Sequence, residues 1–190
     1  ATTRQGLLTT PLRDREVLAA YLYQHGHQDA ADRRLRLQPE TYRRVAQSPE
    51  LAQLLQILDA FPRFIRACEH QKLLKGLRQR IKKRLSKQWQ KLDDALQDSS
   101  HDRHRLRLLI KRVRYAAEAY PELDKLPAKS LLHLKKAQAA LGDWHDCWQW
   151  LAQAEHQADL QPCVGVWHRT MAEAEGQADR ALEKLSGDSF

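Results

Sequence analysis

The chain has 190 residues, with 32 Lys and Arg against 24 Asp and Glu, which leaves a formal net charge of +8. No apolar run approaches the roughly 20 residues of a membrane-spanning helix, and no basic-then-apolar signal peptide opens the chain, so an integral membrane protein is excluded. Hydrophobic residues make up 42% of the sequence, enough for a buried core. Three cysteines without framework spacing indicate reduced thiols and predict a cytoplasmic protein.

The predicted secondary structure is helical throughout. Leu and Ala together number 54, whereas the strand-favouring Val, Ile and Thr number 15. No segment alternates polar and apolar residues for long enough to form a strand. Because the connections between helices are short, neighbouring helices are expected to run antiparallel. The sequence therefore predicts an all-α fold of antiparallel helical bundles.

Capping and breaking residues place the helix ends. In chain order, the predicted helices cover about residues 13–24, 27–35, 40–46, 49–60, 62–96, 101–120, 127–141, 143 or 146 to 158, and 162–186. Ser48 is expected to cap the fourth helix, with Pro49 in its first turn. Phe61-Pro62 is expected to break or kink the helix, and Gly142 is expected to end a helix as a C-cap. The predicted domains are a partial first repeat, residues 1–61, and a second bundle, residues 62–190.

The positive charge is concentrated in one part of the chain. Residues 63–115 hold 17 Lys and Arg but only 5 Asp and Glu, a balance of +12, so the rest of the chain carries −4. This segment covers two successive predicted helices. Its charge favours an anionic partner.

The clearest candidate site is a row of basic residues on the predicted 101–120 helix, formed by His104, Arg107, Lys111 and Arg114. At about 100° and 1.5 Å per residue, the row covers an arc of about 80° and climbs about 15 Å. The opposite face, expected to be buried, consists of Leu106, Leu109, Ile110 and Val113. Stacked like charges destabilise a helix by roughly a few tenths of a kcal/mol per pair. The row therefore favours a linear polyanion as ligand, with an ordinary solvated face as the alternative.

Two successive motifs carry a family resemblance. The first, H-x-x-R-x-x-x-K-x-x-R-Y, consists of the basic row and Tyr115, and the second, L-K-x-x-Q-x-x-L-G-x-x-H-D, runs from Leu134 to Asp146. Together they resemble the second repeat of the CHAD domain, the conserved histidine α-helical domain. The resemblance implies two bundle-like halves related by pseudo-twofold symmetry, with inorganic polyphosphate bound in a basic central channel. The family was earlier suspected of chelating metals through its histidines, but we expect this chain to require no metal or other cofactor.

The first repeat resembles the family less completely. The stretch from Arg13 to Leu18 is similar to the family's R-D-x-D-V-L and sits 132 residues before His145-Asp146. In the family, a helix with its own His-Arg row precedes this stretch, but only twelve residues precede Arg13 here. We therefore expect an incomplete first bundle, whose missing part was either lost or lies outside this chain, and an intact basic face in the second repeat.

The charge pattern and the resemblance together predict the residues that contact polyphosphate. In the second repeat they are His104, Arg107, Lys111, Arg114, Lys135, Arg103, Tyr115, Gln138, Arg78 and Lys82, and in the first half they are Arg13, Arg33 and Arg36. Each arginine is expected to bind two phosphate oxygens in a bidentate manner, and each lysine to add a mobile point charge. His104 is expected to donate to phosphate, more strongly as the pH falls.

Two other binding functions stay open. RNA makes a similar electrostatic demand, but the basic segment interleaves few aromatic residues for base stacking. A metal-chelating accessory domain of a phosphate-processing enzyme would draw on the nine histidines. Pairs such as His101 with His104, or His25 with His27, do not form a dense ligand set.

Catalysis by this chain is not expected. The seven glycines are not clustered into a phosphate loop, and His145 with Asp146 is expected to cap and pack a hairpin. The sequence thus predicts a binding module rather than an enzyme, with a fused catalytic domain outside this chain as an alternative. Association with cytoplasmic polyphosphate granules and formation of a homodimer are further expectations.

Overall fold

The computed structural model describes residues 2–36, 38–98, 102–123 and 127–187. Within these ranges the chain forms eight α-helices and no strand, so the predicted all-α fold is confirmed. The helices are α1 (Thr2–Gln24), α2 (Gln28–Leu35), α3 (Gln38–Ala46), α4 (Pro49–His70), α5 (Leu77–Gln97), α6 (Arg103–Ala119), α7 (Ala128–Ala154) and α8 (Gln161–Ser186). None of the described helices combines the length and the apolar character needed to cross a membrane.

The chain divides into two compact units, Ala1–Lys75 and Gly76–Phe190. The first unit holds α1 to α4, and the second holds α5 to α8. These units are defined by internal packing, whereas the predicted division at residues 61 and 62 concerns sequence repeats. The division into repeats therefore stays a prediction.

In the first unit, α1 packs against α2, α3 and α4. The small core consists of Leu12, Leu18, Ala19, Leu22, Ala30 and Ala31. Two hydroxyls fasten the helices to one another: Tyr23 donates to the carboxylate of Asp32, and Tyr42 donates to that of Glu16. Each hydrogen bond raises the pKa of its tyrosine, because deprotonation would remove the donor beside a negative charge.

The start of α4 is the one that the sequence predicts. The Oγ of Ser48 accepts a hydrogen bond from the N–H of Leu51 at 3.2 Å, and it donates to the carbonyl of Val45 at 2.7 Å. Pro49 occupies the first turn, where its missing N–H costs nothing. The predicted serine cap is confirmed.

The end of α4 differs from the prediction. The helix continues through Pro62 to His70, so the predicted helix end at residue 60 is wrong, whereas a kink at Pro62 stays a prediction. Pro62 removes the N–H that would bond to the carbonyl of Leu58, but both residues are exposed, which leaves that carbonyl to water. The break falls in the turn 71–76 instead, where Lys72 and Gly76 adopt φ values of 57° and 74°. The predicted 62–96 helix is thus divided between α4 and α5.

The second unit is a four-helix bundle in which α6 and α8 each pack against both α5 and α7. Its main core consists of Trp89, Leu92, Ala95, Leu106, Ile110, Val113, Leu134, Ala137, Ala140, Leu141, Ala178 and Leu185. Arg114 bonds to Gln138, while His104, earlier in α6, lies against His145, later in α7. These two contacts show that α6 and α7 run antiparallel, as predicted.

The third helix of this bundle, α7, is continuous from Ala128 to Ala154, so the predicted helix end and hairpin at Gly142 are wrong. A glycine inside a helix costs about 1 kcal/mol relative to alanine. Side chains buried before and after it, such as Leu141 and Trp150, hold both halves of α7 in the bundle and offset that cost. Asp146 therefore lies inside the helix rather than at a cap.

We expect a Gly142→Ala substitution to raise the free energy of unfolding of the second unit by about 0.5–1 kcal/mol. Alanine fits a helix interior, and no heavy atom lies within 4 Å of the Cβ it would add. Urea denaturation followed by circular dichroism measures the change. The control is Gly76→Ala, which should destabilise the protein because its φ is 74°. A loss of stability at Gly142 would instead support the hairpin.

Candidate anion-binding face

The first turn of α6 is set by a capping aspartate. The two carboxylate oxygens of Asp102 accept hydrogen bonds from the N–H groups of His104 at 3.2 Å and Arg105 at 3.3 Å. An aspartate before a helix is a common N-cap, and this signal places the helix start. The predicted start at His101 lies outside the described residues.

The basic row follows the flank of α6 that faces α7. The inner side of α6 is buried at three of the four predicted positions, since Leu106, Ile110 and Val113 are at most 6% exposed, whereas Leu109 is only partly buried. His104 and Arg114, at the two ends of the row, both contact α7, and Arg107 and Lys111 lie between them on the same flank. We use the name α6/α7 face for His104, Arg107, Lys111, Arg114, Lys135, Gln138 and His145.

His145 belongs to this face, although the sequence predicted only a capping and packing role for it. The residue is 8% exposed, and its ring centroid lies 5.0 Å from that of His104. The indole of Trp148 stacks on it, with 5.8 Å between the ring centroids, and is itself 53% exposed. In a continuous α7, His145 lies two turns beyond Gln138 on the same flank. The predicted turn at Gly142 concealed this spacing.

The middle of the face holds two cations without a counter-charge. Within the described ranges, Arg107 forms no ion pair or hydrogen bond, and Lys111 makes only a cation–π contact, with its Nζ 5.7 Å from the ring centroid of Tyr115. Arg107 is half-buried and Lys111 is exposed. Both head groups are therefore available to an anion from solvent.

At the far end of the face, a carboxylate neutralises part of the charge. The Nη1 of Arg114 lies 2.7 Å from Oε1 of Glu118, and its Nε donates to Oε1 of Gln138 at 2.6 Å. The Nζ of Lys135 lies 3.9 Å from the same Glu118 oxygen. The guanidinium of Arg114 also stacks on Tyr115 at 4.4 Å. Glu118 thus occupies the position in which an anion would meet Arg114 and Lys135.

We expect Glu118→Gln to tighten anion binding about two- to fivefold, because it removes a competing negative charge of a partly exposed ion pair. Glutamine keeps a hydrogen-bond acceptor for Arg114, so the fold should not change. Calorimetric titration with long-chain polyphosphate measures the difference. Glu122→Gln is the matched control, since Glu122 is exposed just beyond α6. Unchanged or weaker binding by Glu118→Gln would show that this carboxylate does not compete with the ligand.

Three predicted contact residues of the second unit have no described contact with the α6/α7 face. Arg103 is ion-paired with Glu175 and with Asp179 of α8, the latter at 2.8 Å, so its guanidinium is engaged in the bundle. Arg78 and Lys82 are exposed on α5. No described contact joins either of them to the α6/α7 face.

The other three predicted contact residues lie in the first unit. Arg13, on α1, has its Nη1 3.2 Å from Oδ1 of Asp14. Arg33 lies in the last turn of α2, and Arg36 is the exposed C-cap of that helix. Their part in phosphate binding stays a prediction.

No group of three or more His, Cys, Asp and Glu side chains in the described ranges could hold a metal ion. Of the predicted pairs, His101 lies outside these ranges. His25 has its Nδ1 2.8 Å from the carbonyl oxygen of Tyr21, and its ring stacks on that tyrosine, so it closes the end of α1. The α6/α7 face itself repels cations.

The three cysteines carry thiols rather than disulfides. Burial, reinforced by the negative charges of Asp143 and Asp146, raises the pKa of Cys147 to about 11. Because the thiolate is the nucleophilic form, Cys147 is an unreactive core residue at neutral pH.

The family model for the CHAD domain matches residues 4–155 of the chain. The matched region contains both sequence motifs and extends from α1 to the turn after α7. No curated protein and no solved structure matches the chain.

Proposed function

The chain belongs to the CHAD domain family, and we propose that it binds inorganic polyphosphate along the α6/α7 face. CHAD domains are associated with polyphosphate-related proteins. The observation that carries the proposal is the arrangement of four cations, Arg107, Lys111, Arg114 and Lys135, on two adjacent antiparallel helices. Glu118 contacts only Arg114 and Lys135 among them. Such a face gives successive phosphoryl groups successive cations.

Each of these residues would contact phosphate in the way that its side-chain chemistry allows. Arg107 offers a planar fork for two phosphate oxygens, and Lys111 offers a mobile point charge. Arg114 and Lys135 would exchange Glu118 for a phosphoryl group. His104 would donate to phosphate when its imidazole is charged. This is binding without bond making, so we propose a binding module and no catalytic role for the chain.

A second candidate ligand is single-stranded RNA. The observation that favours it is the half-exposed indole of Trp148 beside His145 and His104, since exposed aromatic rings stack bases. Two further rings offer less, since one face of Tyr115 already carries the Arg114 guanidinium, and Trp144, whose ring lies 6.4 Å from that of His145, is partly buried. One stacking platform is a weak basis for RNA binding, so polyphosphate is the first candidate.

Titrations with long-chain polyphosphate, single-stranded RNA and orthophosphate, at two salt concentrations and with EDTA present, test the proposal. We expect polyphosphate to bind more tightly than RNA at equal phosphate concentration, and orthophosphate to bind weakly. Binding of RNA as tightly as polyphosphate, or more tightly, would contradict the polyphosphate proposal. Loss of binding in EDTA would favour metal-dependent recognition.

The cellular setting is also a proposal. A cytoplasmic location fits the three thiols, and polyphosphate binding would bring the chain to polyphosphate granules. The predicted homodimer stays a prediction, which light scattering over a concentration series tests.

A further inference from the structure

A cleft on another flank of α6 is also lined by cations. It lies between α5 and α6 within the second unit, has a volume of about 240 Å³, and is lined by Arg84, Lys87, Gln88, Lys91, Leu109, Arg112 and Val113. We call it the α5/α6 cleft. Arg112 lies about 140° around α6 from Arg107, so the cleft and the α6/α7 face occupy different sides of the helix.

The cleft brings four positive charges together without an acidic lining residue. Within the described part of the chain, none of Arg84, Lys87, Lys91 and Arg112 forms an ion pair or a hydrogen bond. The three α5 residues are spaced by three and four positions, so they share one flank over about 10 Å, and Arg112 faces them from α6. Their mutual repulsion is an energetic cost that a bound anion would relieve.

Neutral groups complete the lining. The Oε1 of Gln88 is buried and has no hydrogen-bond partner among the described residues. Rotation of that amide exchanges its oxygen with its NH₂ group, which would then donate to an anion. Leu109 and Val113 are the apolar residues of the lining. Apolar surface lowers the local dielectric and strengthens the attraction between cations and anion.

A neighbouring cavity of the same bundle lacks this character. The cavity between α7 and α8 is larger, about 330 Å³, and is lined by Lys136, Arg180 and Lys184. Asp143 also lines it and supplies a negative charge from within the protein. The α5/α6 cleft has no such internal counter-ion among its described residues.

We propose that the α5/α6 cleft is a second anion site, which binds a compact oligophosphate such as inorganic tripolyphosphate independently of the α6/α7 face. The volume corresponds to about eight water molecules, which suits a few phosphoryl groups rather than an extended polymer. Two guanidinium groups and two ammonium groups match the several negatively charged oxygens of such an ion. The inference rests on the cleft residues and not on the proposed function of the other face.

Calorimetry with tripolyphosphate at low salt tests the second site. We expect the wild-type chain to bind two ions, and the variant Lys87→Gln/Arg112→Gln to retain only the ion at the α6/α7 face. The converse variant, Arg107→Gln/Lys111→Gln, should retain only the ion in the cleft. Affinity at each altered site should fall at least tenfold. The matched control, Lys136→Gln/Lys184→Gln, makes the same charge change in exposed residues of α7 and α8 and should keep both ions.

The outcomes separate the two sites. If Lys87→Gln/Arg112→Gln binds as many ions as the wild type, the cleft is not a site, whatever the other variant does. If the control loses an ion as readily as the cleft variant, general charge and not the cleft governs binding, and the inference fails. If Arg107→Gln/Lys111→Gln binds as many ions as the wild type while Lys87→Gln/Arg112→Gln loses one, the proposed α6/α7 site is contradicted and the cleft site is supported. Amide NMR shifts confined to residues 84–91 and 109–113 would support the cleft directly.

Discussion

Charge reversal at two positions of α6, in an Arg107→Glu/Lys111→Glu variant, should weaken binding of long-chain polyphosphate at least about 100-fold. Each charge-assisted contact contributes about 1.5–3 kcal/mol when partly desolvated. Loss of two contacts at the lower end of that range is about 3 kcal/mol, and each 1.4 kcal/mol is a factor of ten in affinity. Arg107 is half-buried, and the introduced carboxylates add repulsion.

The fold should survive this change. Among the described residues neither Arg107 nor Lys111 has an ion pair, and the buried contacts of α6 are made by Leu106, Ile110 and Val113. Helical circular dichroism should therefore match that of the wild type. Binding itself is measured by filter retention or calorimetry with long-chain polyphosphate.

A variant with the same change of net charge provides the control. Lys136→Glu/Lys184→Glu lowers the net charge by four at exposed positions of α7 and α8, away from the α6/α7 face. We expect it to lose at most a few-fold in affinity through the long-range field. If both variants lose affinity equally, binding depends on total charge. If Arg107→Glu/Lys111→Glu keeps its affinity, the row is only a solvated helix face.

A tenfold rise in salt concentration should weaken polyphosphate binding by roughly 10²–10³-fold. A flexible linear polyanion releases about 0.7 counterion for each phosphate that a cation neutralises. Four cations, Arg107, Lys111, Arg114 and Lys135, therefore predict a slope of about −3 when the logarithm of the affinity is plotted against the logarithm of the salt concentration. Titrations at several NaCl concentrations give the slope.

The slope also tests each cation separately, because removal of one phosphate contact should change it by a fixed amount. Arg107→Ala should make it shallower by about 0.7, whereas the matched Lys136→Ala should leave it unchanged. A wild-type slope near zero would contradict an electrostatic face. A slope much steeper than −3 would mean that cations of the protein other than these four also contact the polyphosphate.

Local sequence signals predicted several features of the fold. Ser48 before Pro49 predicted the start of α4, because that cap needs only neighbouring residues. The spacing of Leu106, Ile110 and Val113 predicted the buried side of α6, because a helix repeats every 3.6 residues. Features of this kind depend on a few adjacent turns of chain.

The errors occurred where tertiary packing or solvent outweighs a local preference. Gly142 disfavours a helix, but buried side chains on both sides keep α7 continuous through it. Pro62 disfavours a helix interior, but Leu58 is an exposed residue, so water can bond to its carbonyl. In both predictions the free-energy cost of one residue to the helix was overestimated, because that cost is smaller than the packing energy of a long helix.

Partners distant in the sequence were beyond any local pattern. Arg103 meets Glu175, which is 72 positions later, and this pairing becomes visible only when α6 and α8 are folded together. The position of His145 beside His104 likewise depends on how α7 packs against α6. The composition of the α6/α7 face could thus be predicted in part, but its internal pairing could not.

Ionic strength acts on the folding of the second unit and on its ligand binding in opposite directions. Arg107, Lys111 and the four cations of the α5/α6 cleft repel one another on both flanks of α6, and no described ion pair relieves them. Added salt screens this repulsion and favours the folded state, while the same salt displaces a bound polyanion. The empty protein is therefore expected to be least stable in dilute buffer, where its ligand binds best and stabilises it most.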